Sequence, residues 1–182
     1  MNSILLRGLL GGVAMFLAGI ITHVLLPLGE VGIQRLPAED PVTAALRAVV
    51  PNRGLYYFPA PPPNATSDQQ QQWQQRHRAG PVGLLVYQPQ GGEPMPPRQL
   101  LGEFASNVAV ALLAAWLLAQ AAPASYAARV LFVAALGLLA TLAINVSFWN
   151  WYAFPTDFTL AAIASEVIGF AAAGLVLAWP RP

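Results

Sequence analysis

Four long apolar runs constrain this chain more than any other feature. Their ranges are 8–27, 104–122, 130–149 and 158–179. At 1.5 Å per residue, about twenty helical residues match a hydrocarbon core about 30 Å thick. Only Thr22 and His23 interrupt the first run, and residues 27–30 offer no small-residue site for removal of a signal peptide. The sequence therefore predicts four membrane-spanning helices.

The composition agrees with a membrane setting and excludes several function classes. Charged residues are 9% of the chain, where soluble domains carry about 25%, and apolar residues reach 56%. All nine basic residues are arginines and the net charge is +1, so we expect no nucleic-acid partner. The chain has no cysteine and only two histidines, so we expect neither a metal site nor a cofactor.

Short connections predict how the spans pair. Residues 123–125 join the second and third spans, and residues 150–157 join the third and fourth, so both pairs are antiparallel neighbours. The expected fold is an all-α integral membrane protein, a four-transmembrane-helix bundle with a small extracytoplasmic α+β cap between the first and second spans. The predicted divisions are 1–28 for the first span, 29–101 for the cap and linker, and 102–182 for the other three spans.

The distribution of charge predicts the orientation. Four crossings place both chain ends on one side, and the short loop on the other side contains Asp157 but no basic residue. Because positive residues are retained in the cytoplasm, we expect both termini to be cytoplasmic. Arginine without lysine, together with abundant Ala, Gly and Pro, is typical of GC-rich genomes. We therefore expect a bacterial inner membrane.

Residues 28–101 contain signals for strands and helices. Residues 54–59 and 83–89 are short apolar and aromatic runs bounded by glycine and proline, which predicts two strands, paired antiparallel. Asp40 and Pro41 predict the cap and first turn of an amphipathic helix, which suits the membrane surface or the mouth of the bundle.

Two further helix N-caps are predicted from the local sequence. Ser67 and Gln70 have the spacing of a capping box, which would open a polar helix extending to Arg78. Thr156 precedes the fourth span and is expected to cap it, while Asp157 complements the helix dipole.

Glu166 is the most informative residue for function. It lies nine residues beyond Asp157, about 13 Å deep, where an ionised carboxylate costs at least a few kcal/mol. We expect it to be protonated or to face a partner inside the bundle, with Thr141 at a similar depth and Ser165 beside it. Two interpretations are open: a neutral Glu166 that joins helices, or a group that carries protons or binds a ligand.

Three amide and imidazole side chains predict a polar layer. His23, Asn107 and Asn145 each lie four residues inside an assumed boundary marker, Glu103 being the marker for Asn107, and so about 6 Å inside the membrane edge. These residues either form hydrogen bonds between helices or line a hydrated vestibule with Glu103 and Glu166.

Small residues follow two helix faces. On the fourth span they are Ala161, Ser165, Gly169 and Ala173; on the first they are Gly8 and Gly12. Such stripes allow close contact between helices. We expect them to pack within the bundle, with a homodimer seam as the alternative.

The sequence contains no phosphate loop, no nucleophile elbow, no zinc-protease motif and no dinucleotide-binding motif. The expected function is therefore a non-enzymatic assembly or binding role in an envelope complex, with the bilayer and a membrane-protein partner or a second copy as partners. The alternative is a small proton-linked transporter or lipophilic-ligand binder using Glu166. A third hypothesis is an enzyme acting on lipid headgroups, with Glu103 or Asp157 as base and His23 as acid.

The predicted orientation can be tested by labelling. Because the chain has no cysteine, single thiols from Gln71→Cys and Ser3→Cys each report one position. A membrane-impermeant maleimide should label them from opposite faces of sealed vesicles. Labelling of both from the same face would contradict the four-span topology.

Overall fold

The computed structural model describes residues 2–179. Its helices are α1 Asn2–Ile20, α2 Glu39–Val49, α3 Ser67–Ala79, α4 Pro97–Ala121, α5 Tyr126–Thr141, α6 Ser147–Tyr152 and α7 Thr156–Leu177. A π-helical segment, Ile21–Leu25, continues α1, a second, Leu142–Val146, joins α5 to α6, and a 3-10 turn covers Leu28–Glu30. The strands are β1 Gly54–Phe58 and β2 Gly83–Tyr87.

Four helical stretches are long and apolar enough to cross a membrane. They are Ile4–Leu25, Pro97–Ala121, Tyr126–Tyr152 and Thr156–Leu177. The protein is thus a multi-pass membrane protein, mostly helical with one small sheet, as predicted. The second span begins seven residues before the apolar run at Phe104, because polar residues continue the helix beyond the run.

The chain forms two compact units. One contains the four spans and extends to Ile33 and from Pro94 onward, and the other is Gln34–Glu93. In the unit of spans, α4 packs on α1, α1 on α7, and α7 on α5, whereas α4 and α5 have little contact. The hydrophobic core joins all four spans at Met15, Ala114, Ala115, Leu118, Val133, Ala173 and Leu177.

The two ends of this unit are distinguished by the residues that lie there. The terminal end carries Ile4, Ala121, Tyr126 and Leu177, and the distal end carries Leu25, Pro97, Tyr152 and Thr156. The core residues of α4 and α5 lie in the terminal halves of those helices, near the turn that joins them. Toward the distal end α4 and α5 are therefore separated, with α1 and α7 between them.

Glycines bring α1 and α4 into close contact. A Cβ atom on Gly12 would lie 2.6 Å from Val108 Cα, and one on Gly8 would collide with Leu112. Farther along the same pair, the rings of Phe16 and Phe104 meet edge to face at 5.6 Å. These contacts fix the antiparallel register of the two helices.

Aromatic side chains stack at the distal end. Phe148 contacts both Tyr152 and Phe154, and Phe154 contacts Phe158, with ring centroids 5.4–5.9 Å apart. Rings in this position are typical of the headgroup layer of a membrane. They link the end of α6 to the start of α7.

The predicted cap of the fourth span is wrong. Thr156 is the first residue of α7, the N-cap is Pro155, and no side chain caps this helix. The Thr156 hydroxyl instead accepts a hydrogen bond of 3.0 Å from the Trp149 indole. Asp157 does lie in the first turn, where its charge suits the helix dipole.

The second unit contains the predicted antiparallel strand pair. Gly54 lies opposite Tyr87 and Phe58 opposite Gly83. The predicted polar helix between the two strands is also confirmed, since α3 covers the Gln-rich segment.

Both predicted caps in this unit are displaced. The capping box of α3 uses Thr66 and Gln69, one residue earlier than predicted, because Ser67 is already helical. Similarly, α2 begins at Glu39, so Asp40 lies within its first turn and does not cap it.

The close contact of Gly12 with α4 leads to a prediction about the free energy of unfolding. Gly12→Ala should lower the free energy of unfolding by roughly 1–3 kcal/mol, because its methyl group would overlap the α4 backbone. Gly19→Ala is the matched control, since no atom lies within 4 Å of its Cβ position. Denaturation in detergent micelles measures both variants, and equal stability would contradict the packing of α1 on α4.

Candidate functional site

Glu166 lies on the inward face of α7. The residues seven positions before and after it, Thr159 and Ala173, are 6% and 1% exposed. Four positions away, Ala162 and Phe170 are half-buried. Residues at these spacings share one face of a helix. The exposed positions of this part of the helix, Leu160, Ala164 and Ile168, lie on the opposite face.

Glu166 itself is nevertheless exposed, and it makes no hydrogen bond to any residue in the range 2–179. An inward-facing side chain can be exposed only where the neighbouring helices leave a space. We attribute this space to the limited contact between α4 and α5. We call it the distal cleft and define it by His23, Glu103, Asn107 and Glu166.

Two titratable side chains of other helices lie toward the same end of this unit. Glu103 lies in the half of α4 toward the distal end, and His23 lies in the π-helical segment that ends the first span. Both side chains are exposed. In the described part of the chain, no three His, Asp or Glu side chains are grouped so that they could hold a metal ion.

Asn107 extends the cleft toward the middle of the spans. It lies one turn from Glu103 on the same face of α4 and is 8% exposed. Its side chain forms no hydrogen bond with the residues that the structure describes. The nitrogen and oxygen of the carboxamide keep some exposure, since no fully buried side-chain nitrogen or oxygen of the described residues lacks a partner.

The predicted polar layer at one depth is wrong for Asn107. The neighbouring Val108 packs on Gly12, near the middle of the first span, whereas His23 is eleven residues farther along, about 16 Å. The error arises because α4 begins at Pro97, so Glu103 lies six residues inside the helix and does not mark its boundary. The polar groups therefore lie at different distances from the distal end and do not share one level.

A buried hydrogen bond joins the π-helical end of the first span to α7 beside Glu166. The Ser165 hydroxyl donates to Thr22 Oγ1 at 2.8 Å, and the Thr22 hydroxyl donates to the Gly19 carbonyl at 3.1 Å. Thr22 is fully buried and Ser165 is 9% exposed. The two helices are therefore held together without the Glu166 side chain.

The surroundings of His23 orient its ring. Nδ1 lies 3.1 Å from the Gly19 carbonyl oxygen and 3.0 Å from Thr22 Oγ1. Because a carbonyl oxygen only accepts, we assign the proton to Nδ1, which leaves Nε2 able to accept another. Gly29 lies against the ring, and a Cβ atom there would be 2.5 Å from its Cδ2.

Both π-helical segments carry predicted polar residues. The first contains Thr22 and His23, and the second contains Asn145. Segments of this kind are rare and frequently occur at functional sites. Their positions could not be predicted from residue spacing, because no residue type specifies them.

Asn145 and Thr141 bind each other on α5 and its π-helical extension. The Asn145 carboxamide donates to Thr141 Oγ1 at 2.7 Å, and Thr141 is 3% exposed. Gly137, one turn from Thr141, packs on the Phe170 ring, one turn from Glu166. Thr141 is therefore at about the depth of Glu166, but no hydrogen bond joins the two.

The small residues lie at helix contacts. Ala161, Ser165, Gly169 and Ala173 are all buried. Gly169 faces Met15 of α1, where a Cβ atom would be 3.5 Å from the Met15 side chain. Gly8 and Gly12 face α4. Both small-residue faces are thus occupied by helices of the same chain.

No protein-family model, curated protein or solved structure gives a match to this chain. The cleft itself offers two carboxylates, an imidazole and a carboxamide. These groups can exchange protons and bind a polar ligand.

The hydrogen bond between Thr22 and Ser165 can be measured. A double-mutant cycle of Thr22→Val and Ser165→Ala should give a coupling free energy of about 0.6–1.7 kcal/mol, the range for hydrogen bonds between membrane helices. Unfolding in mixed micelles provides the four stabilities. Additive effects of the two substitutions would contradict the bond.

Proposed function

We propose that this is a non-enzymatic protein of the bacterial inner membrane that binds a ligand in the distal cleft, with Glu166 as its protonatable group. A small proton-linked transporter or a lipophilic-ligand binder would both use such a site. The observation that supports this proposal is the placement of Glu166, which faces inward and is still exposed. Water or ligand in the cleft would then solvate it.

The energetics support a functional Glu166 over a structural one. A carboxylate at this depth is unfavourable by several kcal/mol unless it is solvated or paired. A glutamate that served only to join helices would form a hydrogen bond between them. Ser165 and Thr22 make that connection in the adjacent position, and Glu166 makes none with residues 2–179.

The geometry gives less support to an enzyme acting on lipid headgroups. That hypothesis needs His23 within hydrogen-bond reach of Glu103 or Asp157. In the described part of the chain, His23 bonds only Thr22 and Gly19, and Asp157 accepts from the Phe158 backbone. We therefore place ligand binding first.

The proposal also includes the membrane topology of the chain. Gly11 packs on Leu177 near the terminal end, and Thr22 bonds Ser165 near the distal end, so the first and last spans are antiparallel. We propose a four-span bundle with both chain ends in the cytoplasm and residues 34–93 as an extracytoplasmic cap.

An assembly role in an envelope complex is the second candidate function. Leu55 and Val86 are cross-strand partners in the sheet and are 66% and 81% exposed. This apolar pair supports contact with a membrane-protein partner or with a second copy of the chain. Such a role would leave Glu166 without a direct part in function.

Infrared difference spectroscopy tests the role of Glu166. In liposomes containing the protein, a change of aqueous pH should change the carboxylic C=O band of Glu166, because the cleft connects that group to water. The Glu166→Gln variant should lack this component, and Glu93→Gln, which alters a carboxyl of the other unit, should retain it. An identical band in wild type and Glu166→Gln would overturn the proposal.

A further inference from the structure

We infer that α2 binds the lipid surface of the membrane that the spans cross, with its apolar face at the boundary between headgroups and acyl chains. This interaction surface belongs to residues 34–93 and is independent of Glu166 and the proposed function. Three features support it: an apolar helix face that other elements leave uncovered, exposed arginines around it, and a short connection to the first span.

The apolar face of α2 has no helix or strand packed closely on it. Val42, Ala45, Leu46 and Val49 share this face by their spacing, none of them is buried, and Val49 is 73% exposed. Within residues 2–179, α2 has little contact with any other helix or strand. Because a helix of 11 residues owes most of its stability to packing of such a face, another surface must cover it.

The charges around α2 suit a lipid surface. Arg47 lies in the last turn, away from the apolar face, and Arg35 and Arg53 lie four residues outside the two ends of the helix; all three are exposed. Arginines in this position can contact headgroup phosphates while the apolar side chains enter the membrane. The acidic pair, Glu39 and Asp40, lies in the first turn, where its charge suits the helix dipole.

The connection to the first span keeps α2 within reach of the membrane. Gly32 packs against Phe158, where a Cβ atom would lie 2.6 Å from the Phe158 Cβ, and Phe158 belongs to the aromatic cluster typical of the headgroup layer. Because Glu39 follows seven residues after Gly32, the chain between them spans at most about 25 Å. Such a tether gives α2 a high effective concentration at the surface, so that a short apolar face is sufficient for binding.

Spin labelling of the full chain tests this inference in liposomes of phosphatidylethanolamine and phosphatidylglycerol. Because the chain has no cysteine, Val49→Cys and Ala44→Cys each carry a single nitroxide, one on the apolar face and one on the other side of α2. Paramagnetic resonance then compares collisions with oxygen, which concentrates in lipid, and with a water-soluble nickel chelate. The label at position 49 should meet oxygen more often than nickel, and the label at position 44 should show the reverse.

A charge on the apolar face provides the second measurement. Leu46→Asp should abolish the preference for oxygen at position 49, whereas Ala44→Asp, the matched control with the same residue on the other side, should preserve it. Equal exposure of positions 49 and 44 to nickel would overturn the inference. Protection of position 49 from both reagents would also overturn it, because the face would then be covered by protein, as would an oxygen preference that survives Leu46→Asp.

Discussion

The close packing of α1 against two different helices determines the shape of this protein. Gly8 and Gly12 admit the α4 backbone on one side, and Gly11 and Thr22 meet α7 on the other. Because α1 packs on both α4 and α7, α4 and α5 have little contact with each other. The distal cleft is a consequence of this arrangement.

Two adjacent residues of α7 have polar side chains with different roles. Ser165 is buried and satisfied by Thr22, so it stabilises a helix contact. Glu166, the next residue, is exposed and forms no hydrogen bond in the described chain. In its ionised form such a carboxylate is tolerated within a membrane only where water, a ligand or an opposite charge reaches it. The contrast between these adjacent residues is the basis for assigning a site.

The sequence predicted the spans and both strands, because hydrophobic length and glycine or proline boundaries are local signals. The inward face of Glu166 was also present in the sequence, as the spacing of Thr159, Glu166 and Ala173. The depth of Asn107 could not be predicted, since α4 continues beyond its apolar run to Pro97. The π-helical segments and the neighbours of α1 depend on contacts between distant residues, which no local pattern encodes.

The orientation of position 166 is the most direct test of this account. Glu166→Cys and Ala164→Cys place single thiols at nearly the same depth on opposite faces of α7, in a chain without other cysteines. A water-soluble methanethiosulfonate should modify the thiol at position 166 in liposomes and leave the one at position 164 unmodified, because only the cleft admits water. Modification at 164 with none at 166 would show that Glu166 faces lipid and would contradict the account.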